Sequence, residues 1–145
     1  MGDKMTVTLD QARTIIAVTR ARGREMGLKP LSVVVLDAGG NVLAFEREDG
    51  APPGRFALAH GKAYGAVMLG MAGRAQMARA EAQPYFMGAV NGVFGGQLVP
   101  VPGGLLVRDA EGAVIGSVGV TGDTSDKDAE AGAAGITAAG LVPEA

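Results

Sequence analysis

The sequence contains no cysteine. Disulfides, thiolate zinc sites and cysteine nucleophiles are excluded together. It contains no tryptophan, and aromatic residues make up only 4%. A core built mainly from small aliphatic side chains buries less area per residue, and such chains often gain stability by self-association. The shortage of aromatics also counts against a dedicated pocket for a large flat ligand, since aromatic walls usually hold one. Histidine occurs once, at His60. One histidine without cysteine cannot build an ordinary multi-ligand metal site. No apolar run reaches the roughly 18 residues that span a bilayer, so no membrane partner is expected. The thirteen Lys and Arg residues are scattered, and the formal net charge is −2. With no basic stripe interleaved with aromatics, nucleic acid is not an expected partner either. Met1-Gly2-Asp3-Lys4-Met5 lacks an apolar signal core, which gives the expectation of a cytoplasmic protein. The G-x-S-x-G elbow, the P-loop, H-E-x-x-H and a strand-linked G-x-G-x-x-G are all missing.

What is present describes one domain spanning residues 1–145. Hydrophobic residues are 48% and charged residues 19%, a globular balance. Glycine is abundant, at 24 residues, without a collagen period. Tight turns and close helix packing are its expected uses. Thr8-Leu9-Asp10-Gln11 has the form of a capping box, and helical spacing then runs from Leu9 to Met26. Leu31–Leu36 and Val42–Arg47 flank the turn residues Asp37 to Asn41, which predicts a β-hairpin. Helices are expected over Arg55–Met71 and Arg74–Ala82, with a short piece at Tyr85–Val90. Leu98–Val101, Leu105–Arg108 and Ala113–Thr121 read as strands, the first at an edge because of Pro100. Ser125-Asp126-Lys127-Asp128 reads as a capping box opening a last helix. The expected order is α-β-β-α-α-β-β-β-α, an α+β fold with an antiparallel sheet.

Several segments together carry a family resemblance. They are Ser32–Val42, Arg47-Glu48-Asp49-Gly50-Ala51, His60-Gly61-Lys62-Ala63-Tyr64, Val101-Pro102-Gly103-Gly104, Ile115–Gly122 and Asp126–Ala134. Their order and spacing resemble the GlcG/HbpS family, related to the C-terminal domain of PduO. Glu48 stands where the family pattern has Met. The resemblance implies a profilin-like or PAS-like fold, a five-stranded antiparallel sheet flanked by helices. It also implies homo-oligomers. Members are tied to haem binding or degradation, to glycolate use, and to a domain appended to a cobalamin adenosyltransferase. The implied ligand is haem or a related tetrapyrrole. The alternative is a cofactor-independent enzyme of a catabolic pathway, working on an organic acid or its adduct.

The candidate site residues follow from chemistry and from this resemblance. His60 is a candidate haem axial ligand or general base, or else an ordinary helical histidine. Tyr64 is a further candidate ligand contact. Lys62 matches the family's lysine; desolvated, it could act as a nucleophile or hold an anion, or it could simply extend its head to water. Arg47 ends a strand and can clamp an acid. Gly103 and Gly104 leave the backbone open to close approach. Thr121 offers a hydroxyl. Asp123 is a candidate base beside the last helix, and Asp126 and Asp128 add charge that caps that helix or holds a hard cation. The working groups of the enzyme reading are Lys62, His60, Arg47 and Asp123. The common premise is a pocket where the Lys62 helix faces the Gly103 and Thr121 turns.

Overall fold

The computed structural model describes residues 6–145. The opening five residues, read above for a signal segment, lie outside it. The elements are α1 (Leu9–Glu25), β1 (Ser32–Asp37), β2 (Val42–Arg47), α2 (Arg55–Leu69), α3 (Gly73–Ala82), α4 (Pro84–Val93), β3 (Gly104–Arg108), β4 (Val114–Thr121), α5 (Ser125–Ala138) and β5 (Val142–Glu144). The strands form one antiparallel sheet in the order β2-β1-β4-β3-β5. This is the α+β, five-stranded architecture expected from the sequence. Among the described residues no helix is long and apolar enough to cross a membrane.

The local signals act as their chemistry dictates. Thr8 and Gln11 close a reciprocal capping box on α1, with Gln11 N donating to Thr8 Oγ1 at 3.1 Å and Thr8 N to Gln11 Oε1 at 3.0 Å. Asp37 Oδ1 accepts from the backbone N–H of Gly39 and of Asn41, each at 2.9 Å, which sets the first hairpin. Side chains alternate across β1. Val33 and Val35 face α1 and α5, in a core shared with Ile15, Leu105 and Ile136. Val34 and Leu36 face α2, against Ala59 and Ala63. Glu48, next after β2, is a buried carboxylate that accepts from Leu31 N at 2.6 Å, Arg20 Nε at 3.1 Å and Arg24 Nη2 at 3.2 Å. It ties α1 to the hairpin, a connection that an apolar Met could not make.

Three readings need correction. Residues 98–101 do not join the sheet. Pro100 has no N–H for a ladder, and the segment runs across α2, where Val99 N donates to Gly61 O at 3.3 Å. The fifth strand is Val142–Glu144, paired to β3. The piece expected at Tyr85–Val90 is a longer helix, Pro84–Val93, with Pro84 in its first turn, where the missing N–H is harmless. Finally, α5 starts one residue earlier than expected, with Thr124 at the N-cap. The box predicted from Ser125 to Asp128 does not form, and Asp128 turns inward.

Helix α2 lies unusually close to the sheet. A Cβ added at Gly119 would overlap the Ala59 carbonyl of α2. Ser117 Oγ donates to Ala63 O at 2.8 Å across the same seam. Gly119→Ala is therefore expected to push the helix off the strand and destabilise the fold by about 2 kcal/mol or more. At Gly88 in α4 nothing lies within 4 Å of an added Cβ, so Gly88→Ala should be neutral or stabilising by about 0.5–1 kcal/mol. Denaturant midpoints of the two variants check the contrast.

Candidate functional site

Helix α2 has two faces with different chemistry. Residues two apart on a helix point roughly 200° apart. His60 and Lys62 therefore lie on opposite sides and cannot serve one site. That follows from spacing alone and corrects the grouping of the two as joint working groups.

The inner face carries Lys62. Its side chain is buried, at 4% exposure. Nζ donates to Val120 O at 2.9 Å and to Asp128 Oδ2 at 3.3 Å. Asp128 is wholly buried, and its other oxygen, Oδ1, accepts from Asp123 N at 3.0 Å. Burial pulls the Lys62 ammonium down and pushes the Asp128 carboxyl up, while each partner's charge opposes the shift. The expected neighbours are here: Gly103 and Gly104 lie against this lysine, and a Cβ on Gly103 would come within 2.9 Å of Nζ. The space those glycines leave is filled by the protein's own side chain. Thr121 is 3% exposed, and its Oγ1 accepts from Arg55 Nη1 at 3.1 Å. The premised juxtaposition of the Lys62 helix with the Gly103 and Thr121 turns is present, but as closed packing.

The remaining inner candidates are also engaged. Asp123 accepts from Lys29 N at 2.9 Å and from Thr124 N at 2.8 Å. Those backbone donors hold its carboxyl below the ordinary range, so it stays ionised. Arg47 is exposed on β2 and donates from Nη1 to Ala51 O at 2.6 Å. Asp126 pairs with Arg74 at 3.0 Å on the surface.

The outer face carries an aromatic series. Phe56, His60 and Tyr64 sit at i, i+4 and i+8, hence one above another. The His60 ring lies 5.7 Å from Phe56 and 5.3 Å from Tyr64 between centroids, nearly parallel to Tyr64 at 19°. Phe45 of β2 meets Phe56 edge-on at 4.8 Å, and Phe94 meets Tyr64 edge-on at 6.1 Å. Beside this series runs a groove of about 490 Å³ lined by Phe56, Leu58, His60, Gln97 and Val99, among others. Its far wall is the 96–99 segment, which can approach α2 because residue 61 is glycine: a Cβ there would come within 2.5 Å of Gln97 O. Among the described residues neither ring nitrogen of His60 has a hydrogen-bond partner. Burial lowers its pKa, which favours the neutral ring. A neutral imidazole edge open to an apolar groove has the chemistry needed to ligate a metal. Tyr64 meets the groove through its stack on His60.

Phe56, Leu58, Gln97 and Val99 did not stand out in the sequence as site residues. The available signal was the i, i+4, i+8 spacing of three rings. Gln97 and Val99 had none, because tertiary folding brings them to α2.

Fold and groove define a class: a small α+β domain with one antiparallel sheet and a ligand-sized groove on its outer helix. The chain belongs to the HbpS-like family of haem-degrading proteins, whose model matches residues 7–137. The crystal structure of HbpS is similar at a TM-score of 0.79 and 28% identity, covering 91% of this chain and 89% of that one. A PduOC–haem complex matches at 0.83 and 21% identity, covering 94% and 96%. The Klebsiella pneumoniae protein ORFY matches at 0.78 and 24%, covering 92% and 90%. The latter two likenesses concern the fold alone. Comparison with curated proteins gives no match.

The buried pair makes a stability prediction. Lys62→Ala leaves Asp128 buried without its cation and should cost about 3–5 kcal/mol. Lys62→Met combined with Asp128→Asn removes both charges and should recover a substantial part of that loss. Urea unfolding of the single and double variants measures the difference.

Proposed function

We propose that the protein binds haem or a related tetrapyrrole in the outer groove of α2, with His60 supplying the nitrogen ligand to the metal. The observation that carries this is the His60 ring itself. It is half-buried, inclined to neutrality, without a hydrogen-bond partner at either nitrogen among the described residues, and edged by an apolar groove. The donor set fits the group. Among the described residues no three His, Cys, Asp or Glu side chains gather to hold a bare metal ion. A metal carried by its own macrocycle needs only one or two donors from the protein. Family membership supports the same ligand class.

Haem, when bound, supplies redox and oxygen chemistry that amino-acid side chains lack. The chain's own residues bind and orient. Phe56 and Tyr64 hold the imidazole plane from both sides. Leu58 and Val99 supply apolar walls that exclude water. Lys62 acts at a distance, by fixing the rotation of α2. Self-association belongs to this reading as well, and the exposed Tyr85, Phe86 and Val93 of α4 support it. The acid–base alternative has less support, because Lys62 is enclosed and Asp123 is held ionised by backbone donors.

Titration with ferric haem should give a shifted Soret band, and His60→Ala should weaken binding at least about tenfold and change the spectrum. Protons compete with the metal for His60, and its folded pKa lies below the usual value of about 6.5. Affinity should therefore hold down to about pH 6.5 and decline below it. An unchanged spectrum and affinity in His60→Ala would refute the assignment.

A further inference from the structure

The groove has a property that family membership does not specify: among the described residues no charged side chain lines it. Among the described residues its polar side chains are His60 and Gln97, and the rest of that lining is apolar or glycine. The cations nearest in the chain are directed elsewhere. Arg55, next to Phe56, donates to Thr121 Oγ1, and Arg47 donates to Ala51 O. Lys62 is on the opposite face of α2, bound to Val120 O and Asp128.

A carboxylate loses its hydration unless donors replace it, and an unpaired buried carboxylate is strongly disfavoured. Sites that recognise acids place an Arg or Lys where it can pair with them. No Arg or Lys among the described residues lines this groove. Gln97 offers one neutral amide, and among the described residues that amide has no hydrogen-bond partner. The Gln97 backbone is held against Gly61, and Leu98 N donates to Asn91 Oδ1 at 2.8 Å. The amide is thus presented on a fixed segment, as a single neutral donor and acceptor.

We propose that this site recognises its ligand by the metal and the apolar ring face, and leaves the ligand's acidic side arms in water. The ligand class is a flat, metal-bearing macrocycle, taken largely without regard to its carboxylates. This rests on the tetrapyrrole reading above.

The test titrates the full chain with ferric haem, with ferric haem dimethyl ester, and with metal-free protoporphyrin. The two iron compounds should agree within about fivefold, since an exposed ion pair is worth no more than that. The affinity for haem should change less than about twofold between about 0.05 and 0.5 M NaCl, because there is no ion pair to screen. Metal-free protoporphyrin should bind at least about tenfold more weakly, as the His60 bond is missing. Tight haem binding with an ester weaker by more than fivefold, or with strong salt dependence, overturns the inference and leaves the tetrapyrrole reading standing. Metal-free protoporphyrin binding as tightly as haem overturns its metal component. Failure of both iron compounds to bind removes the tetrapyrrole reading, and this inference with it.

Discussion

An ammonium group at 4% exposure is a heavy liability for a small domain. Removing an ion from water costs several kcal/mol even after relaxation. Lys62 is tolerable only because Val120 O and Asp128 replace its hydration, and because Asp123 N in turn serves Asp128. The chain of contacts joins α2, the end of β4 and the first turn of α5. It also fixes the rotation of α2 about its own axis. With Lys62 turned toward β4 and α5, the residues at i−6, i−2 and i+2 fall on the other side of α2, toward its β2 edge. Those are Phe56, His60 and Tyr64. The outer groove is thus a geometric consequence of the buried pair, although no groove residue touches it.

Glycine makes this arrangement sterically possible. Gly119 admits the Ala59 carbonyl, and Gly103 and Gly104 admit the Lys62 side chain and backbone. Gly61 performs the same service on the outer side, for Gln97 and Val99. Several of the close approaches that glycine permits thus converge on α2, which is met from both sides. A helix so confined has little freedom to tilt, and a ligand group mounted on it is held in one position.

Much of the fold was legible because its signals are local. The Thr8–Gln11 box, the Asp37 turn and the alternation in β1 depend on residues a few positions apart. The strand at residues 98–101 was misread because apolar β-branched composition suits a strand and a packed crossing segment equally well. The three residues of β5 gave too short a pattern to register. At the site, the importance of Lys62 was legible from a charge set in an apolar helix face. Its partner Asp128 is 66 residues away, and no spacing rule links them. The spacing from Ser125 suggests a capping role for Asp128, but the N-cap is Thr124, no side-chain cap bond forms, and Asp128 turns to Lys62 instead. The separation of His60 from Lys62, by contrast, was decidable from helical period alone.

The scarcity of aromatics, which counted against a pocket in the sequence, supports one in the structure. There are six, four Phe and two Tyr. Among the described residues the fully buried positions of both cores are filled mainly by Val, Leu, Ile and Ala, and Phe45 and Tyr64 pack against the rim of one of them. Phe45, Phe56, Tyr64 and Phe94 instead form a continuous series through His60. A composition average over the chain cannot report this, because it spreads the rings over the whole length. Phe56 remains 40% exposed, so its burial contributes only part of what a core position would yield. A chain that uses few aromatics in its core, yet sets four of them in series with its single histidine, has them where they suit the flat ligand proposed above as well as the packing of α2 on the sheet.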